Sequence, residues 1–510
     1  MPPAPIIAPA QLSGLCMGKT KASPAFLAFD LGAESGRAVL GRLVDDRLEL
    51  QEIHRFPNVP VQLDGSLQWD VQSLWTGMKH ALAMAVGEAG GSLVSLGVDT
   101  WGVDFGLLDQ TGSLLGNPIH YRDPRTEGMV AAADAILPLS DIYAQTGIQI
   151  MPLNSLYQLL ALVRSGSSQL AQARTFLNMP DLFNYWFSGV KSSEFTIATT
   201  TQCYDPHANQ WALGMLEKFG IPSDIFGEIL SPGTLLGNVR ADLAAETGAA
   251  SIKVVTVASH DTQSAIAAVP AETDDYLYLS SGTWSLMGTE VVQPVINPDS
   301  LQSNLTNEGG FGGKFCLLKN IVGLWILQEC RRNWAEHGQQ FTYDDLTRLA
   351  ESAPSHRSFI DPADPRFLPP GDMVARIQAF SRSTGQAVPE TPAEIIRCIL
   401  ESLALEYRQV ADQISNLLGR SLPVIHIIGG GSRNAFLNQA AANATGRMVV
   451  AGPAEATATG NILVQAIAAG QIFSLAEGRL LLRRSFNGSE FEPREVDRWD
   501  DAYQRYLQIK

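Results

Sequence analysis

The chain has 510 residues, of which 45% are hydrophobic and 17% are charged, and its formal net charge at pH 7 is -16. This composition excludes a disordered or coiled-coil protein and indicates a well-buried α/β protein of roughly two to four domains. The acidic balance argues against nucleic acid and anionic membranes as partners, because non-specific binding to such polyanions depends on clustered Lys and Arg.

The N-terminal segment differs from the rest of the chain. Residues 1–24 have no basic n-region, and Pro5 and Pro9 break the short apolar run, which is not typical of a signal peptide. We expect a disordered tail, or a start assigned upstream of Met17. No stretch of the sequence is long and apolar enough for a transmembrane helix. The five cysteines are scattered without CxxC spacing, a pattern that fits a reducing cytoplasm.

The first predicted elements form an acidic hairpin. Residues 26–30 are a short apolar strand, residues 31–36 a Gly-rich turn and residues 37–44 the returning strand. Gly32 and Gly36 would let backbone N–H groups approach an anion, so the turn could cradle a phosphate, although most such turns are only turns. The turn contains neither GxxxxGK[ST] nor GxGxxG, which excludes a Walker loop and a Rossmann fingerprint.

A third strand, a helix and a buried strand follow. Residues 47–56 can form the strand, residues 70–85 have apolar side chains at helical spacing, and residues 93–104 are a buried strand that opens into a polar turn. This order predicts a mixed sheet. The turn suits a polyhydroxylated ligand, although Trp101 could equally be a core residue. Residues 118–240 are less regular and could form one wall of a cleft.

A strand in the middle of the chain delivers a carboxylate to the start of a helix. Residues 254–258 are apolar and largely β-branched, and Ser259, His260 and Asp261 follow before small, helix-favouring residues. Open α/β sheets place reactive groups at such strand ends, so Asp261 is a candidate catalytic residue. Asp is also a common helix N-cap, and capping is the alternative role.

After this stretch the pattern restarts. Residues 276–288 again give a strand, a Gly/Ser/Thr turn and a strand, and residues 392–418 form a long amphipathic helix. Residues 424–434 are a buried strand, a triple-Gly turn and a helix start, and such a turn lets the backbone lie against a base or a phosphate. A strand at 447–451 and a helix at 457–469 complete the series. Two halves that each open with a hairpin predict an internally duplicated fold with a nucleotide in the cleft between them.

Motifs along the whole chain resemble, in order, those of the FGGY carbohydrate kinases, and among these the rhamnulokinase branch. They are Asp30-Leu31-Gly32-Ala33-Glu34-Ser35-Gly36-Arg37, Asp99-Thr100-Trp101-Gly102-Val103-Asp104, His260-Asp261-Thr262, Ser281-Gly282-Thr283-Trp284-Ser285 and Gly429-Gly430-Gly431. Further matches lie at 151–158, 307–310 and 318–325. The resemblance implies a two-domain α/β fold, duplicated and ribonuclease H-like as in actin and hexokinase, with a central interdomain cleft. Residues 25–265 would form the sugar side and residues 266–510 the nucleotide side.

The resemblance also implies roles, with ATP and Mg²⁺ as cofactors. Asp261 would be the general base that takes the proton of the sugar hydroxyl as its oxygen attacks the γ-phosphorus. Sugar-contacting positions are Gly102, His260, Thr262 and Asn320, to which the polar turn adds Trp101 and Asp104. Nucleotide-contacting positions are Ala33, Glu34, Ser35, Gly36, Arg37, Thr283, Gln328, Gly430 and Gly431. Asp30 would lie close to the metal. Glu34 departs from the family's pattern, because a carboxylate in a phosphate loop repels phosphate unless it points outward or toward Mg²⁺.

The expected activity is therefore the ATP-dependent conversion of L-rhamnulose to L-rhamnulose 1-phosphate, by a cytoplasmic monomer or homodimer. Phosphoryl transfer needs positioning, charge neutralisation and a carboxylate base, and the sequence supplies each. The alternative is a related kinase for L-fuculose, xylulose, ribulose, glycerol or a signalling diol, since one hydroxyl cannot be distinguished from sequence.

Functions of other classes fit less well. A non-catalytic sugar or nucleotide sensor on the same scaffold could have lost Asp261 and both phosphate turns, but they are present. The sugar-type turn at Trp101 disfavours an actin-like filament protein. A nicotinamide dehydrogenase is disfavoured by the missing GxGxxG.

Overall fold

The structure is a computed structural model that describes residues 23–510, so the expectation for the N-terminal tail falls outside it except for residues 23 and 24. The first unit opens with three strands, a small hairpin, a helix and a central strand. These elements are β1 Ala25–Leu31, β2 Ser35–Val44, β3 Arg47–Pro57, β4 Pro60–Leu63, β5 Ser66–Trp69, α1 Val71–Ala89 and β6 Leu93–Thr100.

A long insertion of short elements follows and then returns to the first sheet. The insertion contains β7 Phe105–Leu108, α2 Met129–Asp134, α3 Leu139–Thr146, α4 Ser155–Arg164, α5 Ser168–Gln172, β8 Thr175–Asn178, α6 Met179–Ser188, β9 Ser193–Glu194, α7 Phe195–Thr200, β10 Tyr204–Asp205, β11 Gln210–Trp211, α8 Leu213–Lys218 and β12 Ile229–Leu230. The return consists of β13 Leu235–Asn238, α9 Ala241–Thr247, β14 Lys253–Val255 and α10 Asp261–Ala267.

The second unit repeats the opening hairpin and adds a larger helical layer. Its elements are β15 Tyr276–Ser281, β16 Trp284–Val291, α11 Pro298–Gln302, β17 Thr306–Gly309, β18 Phe315–Val322, α12 Trp325–Glu336, α13 Tyr343–Ser352, α14 Met373–Ser383, α15 Pro392–Leu418, β19 Val424–Ile428, α16 Ala435–Thr445, β20 Met448–Ala451, α17 Ala456–Ala468, α18 Leu475–Ser485, β21 Ser489–Phe491 and α19 Val496–Leu507.

The two principal sheets share one plan. The first has the strand order β13-β14-β6-β1-β2-β3 and the second β17-β18-β16-β15-β19-β20-β21. In the first, β1 pairs antiparallel with β2 and parallel with β6. In the second, β15 pairs antiparallel with β16 and parallel with β19. The predicted mixed sheet and the predicted internal duplication are both present.

Alternating side chains of β1 explain why this strand is apolar along its whole length. Leu27 and Phe29 pack into the core that includes α1, whereas Phe26 and Ala28 pack into a second core that includes α10 and α17. Tyr276 and Tyr278 of β15 belong to that same second core. A sheet that is covered on both faces needs apolar side chains at the odd and at the even positions of its strands. The shared core therefore joins the two sheets back to back through α10 and α17.

The contact between α10 and α17 is a backbone contact. A Cβ added to Gly460 of α17 would lie 1.7 Å from the carbonyl oxygen of Ser264 in α10. Only glycine permits this approach, because any side chain would overlap the carbonyl. Since α10 begins at Asp261, the close packing fixes the position of the predicted catalytic residue.

Some predicted boundaries differ from the structure. The strand predicted at 254–258 pairs only over Lys253–Val255, and the residues after it run extended to a single bridge between Thr100 and His260. The first turn is shorter than predicted, because β2 begins at Ser35. The last two glycines of the triple-Gly turn belong to a 3₁₀ turn, Gly430–Arg433, and the helix begins only at Ala435.

Four of the five cysteines lie in the described part of the chain. Cys203, Cys316, Cys330 and Cys398 are buried and free, and Cys16 lies outside the described residues. Within residues 23–510, no helix has both the length and the apolar character that a membrane span requires.

Candidate active site

A cavity of about 310 Å³ lies between the two units, where the carboxyl ends of β1 and β6 face the turn between β15 and β16. Eleven of the predicted residues line it. They are Asp30, Ala33, Arg37, Trp101, Gly102, His260, Asp261, Thr262, Thr283, Asn320 and Gly430. The fold thus brings the predicted sugar and nucleotide positions to one cleft. The predicted residues outside its lining are Glu34, Ser35, Gly36, Asp104, Gln328 and Gly431.

Three carboxylates meet at the edge of the first sheet. Asp30 at the end of β1 stands opposite Asp99 at the end of β6, and Asp261 follows β14. Asp99 is fully buried, and one of its oxygens accepts a hydrogen bond from Asn461 Nδ2 at 2.6 Å. Burial, reinforced by the neighbouring charge of Asp30, raises the pKa of Asp99 well above its ordinary value. Burial and the charges of its two acidic neighbours therefore all oppose ionisation of Asp99.

Arg37 is the cation that balances this acidic edge. Its Nε and Nη2 atoms donate to Oδ2 of Asp30 at 2.9 and 2.6 Å, and its Nη1 pairs with Glu455 of the second unit. Burial would lower the pKa of Arg37, but the two carboxylates outweigh it and raise the pKa above its ordinary value. Glu455 also pairs with Arg433 at 2.8 Å. Arg37 faces the cleft, but both ends of its guanidinium are engaged with protein carboxylates.

The turn of the first hairpin presents backbone rather than side chains to the cleft. Glu34 is exposed and lies outside the cavity lining, which answers the concern that its carboxylate would repel a phosphate. Ser35 Oγ accepts a hydrogen bond from Arg55 at 3.2 Å. A Cβ at Gly36 would lie 2.4 Å from the ring of Phe56, so this glycine is required for packing and not for approach to an anion. Asn58, which sequence reasoning missed, holds the turn by donating to the Gly32 carbonyl at 2.9 Å.

Asp261 lies on the floor of the cleft with 30% of its side chain exposed. One oxygen accepts hydrogen bonds from the N–H of Thr262 at 2.5 Å and from its hydroxyl at 3.2 Å, and His260 Nε2 lies 3.5 Å away. Burial raises the pKa of Asp261, His260 acts in the opposite direction, and the charge of Asp30 adds to the rise. The result is a carboxylate of raised basicity with one oxygen oriented by the protein.

Asp104 lies behind the part of the cavity wall that Trp101 forms. The indole of Trp101 lines the cavity, lies 4.2 Å from the ring centroid of Trp69, and donates to Asp104 at 3.0 Å. Asp104 is fully buried and also accepts from Trp69 Nε1 at 2.6 Å and from Gln158 Nε2 at 3.0 Å. Asp104 therefore orients the two indoles from behind, and the predicted direct contact between Asp104 and a substrate has no support in this geometry.

The opposite wall carries Asn320. Gln149 of the first unit accepts from the N–H of Asn320 at 2.9 Å and from its Nδ2 at 3.2 Å. Both residues line the cavity, so Gln149 orients the predicted sugar contact from across the unit boundary. The motif at 151–158 lies beside Gln149, but the sequence did not identify Gln149 itself, because its partner Asn320 is on a strand of the other half of the chain.

The second unit contributes turns without charge. Thr283 lies in the turn between β15 and β16 and lines the cavity with Gly429 and Gly430. Gly429 has a φ of +81°, and a Cβ at Gly431 would lie 2.0 Å from Oγ of Ser281, so the glycines let the two turns touch. Gly431 acts in this packing, outside the cavity lining. Gln328 is half-buried in α12, and its buried Oε1 has no partner within the described residues.

The site could accept a hard divalent cation. Within residues 23–510 no three His, Cys, Asp or Glu side chains form a metal-binding group. However, Arg37 occupies only Oδ2 of Asp30, and Oδ1 of Asp99 has no protein partner in the same range. Mg²⁺ is usually held by one or two carboxylates together with water and phosphate oxygens. The available oxygens fit that mode of binding.

Both units have relatives among known proteins. Residues 25–268 match the model of the N-terminal domain of the FGGY family of carbohydrate kinases, and residues 277–469 match that of its C-terminal domain. The rhamnulokinase of Bacteroides thetaiotaomicron is 44% identical over 478 residues, 94% of this chain and 98% of its own. That of Oceanobacillus iheyensis is 40% identical over 461 residues, with coverage of 90% and 97%.

Solved structures of the same fold are also known. A ligand-bound xylulose kinase from Lactobacillus acidophilus superposes with a TM-score of 0.80 at 18% identity, over 95% of this chain and 97% of its own. Plasmodium falciparum glycerol kinase with ADP superposes with a TM-score of 0.76 at 16% identity, with the same coverage. These similarities confirm the predicted two-domain fold with its central cleft.

Proposed function

This chain belongs to the FGGY family of carbohydrate kinases, and we propose that it transfers the γ-phosphoryl group of ATP to L-rhamnulose, giving L-rhamnulose 1-phosphate. The observation that supports this most directly is the place of Asp261. Its carboxylate lies in the cavity between the sugar-side residues Trp101 and Asn320 and the neutral turn at Thr283. Relatives named rhamnulokinase that align with more than nine-tenths of the chain support the choice of sugar.

We assign Asp261 as the general base. The sugar hydroxyl gives its proton to the free oxygen of Asp261 as the hydroxyl oxygen forms a bond to the γ-phosphorus and the bond to the β-phosphate oxygen breaks. Thr262 holds the other carboxylate oxygen, so the free oxygen is directed into the cavity. The raised pKa of Asp261, which burial causes, makes its carboxylate a better proton acceptor.

The remaining residues of the cleft hold the sugar and the phosphates in position. The wall formed by Trp101 offers its aromatic face to the sugar, since its indole N–H is bound to Asp104, and the pair of Gln149 and Asn320 offers oriented amide groups. The cavity lining includes Ala33 of the first turn and Gly430 of the triple-Gly turn, whose backbone N–H groups would receive phosphate oxygens, whereas the N–H of Gly32 is bound to the carbonyl of Ser35. Mg²⁺, held through Asp30, would neutralise phosphate charge when bound.

The chemistry of the site leaves other ketoses as the alternative substrates. L-Fuculose, xylulose and ribulose would meet the same carboxylate and the same amide contacts, and discrimination between them depends on single hydroxyls. For the rest of the expected properties, we propose a cytoplasmic location, supported by the four free buried cysteines, and a monomer or homodimer.

A panel of ketoses tests the proposal. The purified protein is incubated with ATP, Mg²⁺ and each of L-rhamnulose, L-fuculose, D-xylulose, L-ribulose and glycerol, and ADP release is measured with the product identified by NMR. We expect the highest kcat/KM with L-rhamnulose and a phosphate on O1. A higher kcat/KM with another sugar would replace the substrate, and ATP binding without ADP release for every sugar would favour a sensor.

A further inference from the structure

Glu308 is a buried carboxylate in the cleft with no part in the function proposed above. It lies in β17 of the second unit, is 4% exposed, and lines the cavity. Its Oε2 is 3.1 Å from Nδ1 of His260 and accepts a hydrogen bond from Nε2 of Gln263 at 3.3 Å. The other ring nitrogen of His260, Nε2, is 3.5 Å from Oδ1 of Asp261. Glu308, His260 and Asp261 thus form a continuous series that ends at the proposed base.

The position of Glu308 is fixed by its neighbours in the chain. The N–H of Gly309 donates to Oγ1 of Thr199 at 2.8 Å, and the N–H of Asn307 donates to the carbonyl of Gly147 at 2.9 Å. Both acceptors belong to the first unit. A Cβ at Gly309 would lie 2.4 Å from the ring of Phe195, so β17 packs against α7 as closely as backbone allows. The carboxylate is therefore held in place against His260 from two sides.

The charges around His260 come from three elements. Glu308 of β17, Asp261 of α10 and Glu194 of β9 face the imidazole, and all three are acidic. Burial lowers the pKa of His260, but the contact with Glu308 outweighs it, and the pKa lies above its ordinary value. Beyond Asp261, Asp30 adds negative charge, with Arg37 as its counter-ion, and Asp99 is a further carboxyl group.

We propose that Glu308 is a positioning residue of the reaction: its carboxylate lies against Nδ1 of His260 and holds the ring so that Nε2 faces Asp261 and the reacting hydroxyl. The carboxylate favours the imidazolium form of the ring, which in turn favours the ionised form of Asp261 beside two other carboxyl groups. The inference rests on the proposed function, since it assigns Glu308 a role through the base of that reaction. It means that Glu308, a residue of the second unit, controls the protonation and orientation of Asp261, the base carried by the first unit.

The variant Glu308→Gln removes the charge and retains the shape of the side chain. Without the carboxylate beside Nδ1, the contact no longer favours a charged imidazole. We expect kcat with the sugar found in the panel to fall at least about tenfold, part of the ~10²–10⁴ that a general base supplies. KM for ATP should not change. The acid limb of the pH profile of kcat should move to higher pH, because Asp261 loses a neighbouring cation. Glu308→Asp, which keeps the charge, should restore the acid limb and part of kcat.

A matched control is Glu401→Gln. Glu401 is also a buried glutamate of the second unit, paired with Arg397 in α15 and outside the cavity lining. Its replacement should leave kcat and the pH profile of the wild type unchanged. Thermal unfolding of each variant identifies loss of structure. Equal effects of Glu401→Gln and Glu308→Gln would overturn the inference, since a general loss of buried charge would then account for both.

A readout without turnover separates this inference from the proposed function. In protein labelled with ¹⁵N-histidine, the resonance of His260 is assigned by its loss in His260→Gln, and its titration is followed by NMR. We expect the pKa of His260 to fall by about one unit or more in Glu308→Gln and to equal that of the wild type in Glu401→Gln. An unchanged titration in Glu308→Gln overturns the inference whatever the activity. Failure of every ketose in the panel overturns the proposed function while the titration still reports the contact.

Discussion

The two units present opposite chemistry at the same edge of similar sheets. In the first, Asp30 and Asp99 face each other one residue before the ends of β1 and β6, and Asp261 follows β14. In the second, β15 ends at Ser281, its residue Ser280 faces Ile428 of β19, and a triple-Gly turn follows. At these strand ends, carboxylates therefore lie in the first unit, and hydroxyls with backbone groups lie in the second, whose own cleft carboxylate, Glu308, lies on the separate strand β17.

The difference shows how a duplicated fold separates two incompatible tasks. A base and a metal-binding carboxylate must be acidic, whereas a surface that receives a nucleotide must not repel phosphate. Phosphate oxygens placed among these carboxyls would raise the pKa of each further, as burial and the charge of Asp30 already do for Asp99. Arg37 lies at the boundary and pairs with Asp30 of the first unit and Glu455 of the second. Mutations can therefore change the acidic edge, the neutral edge or the contact between the two units separately.

The largest effect is expected at the acidic edge. Asp261→Asn keeps the side-chain shape and the acceptor for Thr262 but cannot take a proton. We expect kcat to fall by about a thousandfold or more, within the range for a lost general base, with KM values for sugar and ATP nearly unchanged. Steady-state kinetics measure this, with thermal unfolding to show that the fold persists. A fall of less than tenfold would show that Asp261 is not the general base.

The joint between the units should be the next most sensitive. Gly460→Ala places a methyl group where the Ser264 carbonyl oxygen lies 1.7 Å away, so α10 and α17 must separate. We expect a loss of about 3 kcal/mol in the free energy of unfolding, together with lower kcat because α10 carries Asp261. Gly87→Ala is the control: it lies in α1 with no atom within 4 Å of an added Cβ and should stabilise by about 0.5–1 kcal/mol. Urea unfolding measures both, and equal outcomes would contradict the close contact.

How much of this division could be read from the sequence depends on the range of the contacts. The hairpin at β1 and the helix Pro392–Leu418 were predictable, because periodicity and turn residues are local signals. Asp261 was a candidate from its place after an apolar run. Asp104 was assigned to the substrate because sequence does not show that both neighbouring indoles turn back toward it. Glu308 received no role, since β17 meets His260 only in the folded chain.

The buried carboxylate behind the sugar wall gives a smaller, pH-dependent effect. Burial raises the pKa of Asp104 to about 6, although Trp69, Gln158 and Trp101 donate hydrogen bonds to it. A raised folded-state pKa means that stability is fully present below the ordinary pKa and is lost as the pH rises through 6. Relative to Asp104→Asn, the wild type should lose up to about 3 kcal/mol of unfolding free energy between pH 3.5 and pH 7.5. Urea unfolding across that range measures the difference, and parallel pH curves would contradict it.

The smallest effect is expected at the neutral edge, where Thr283→Ala is the counterpart of Asp261→Asn. Thr283 lines the cavity in the hairpin turn, and its carbonyl accepts from the N–H of Trp325 at 3.1 Å, so the backbone there stays in place without the hydroxyl. A hydrogen bond to a charged phosphate contributes about 1.5–3 kcal/mol, which predicts a rise in KM for ATP of about tenfold or more. KM for the sugar should not change and serves as the internal control. A fall in kcat as large as that of Asp261→Asn would place reactive chemistry on both edges, and the division of tasks between the units would be wrong.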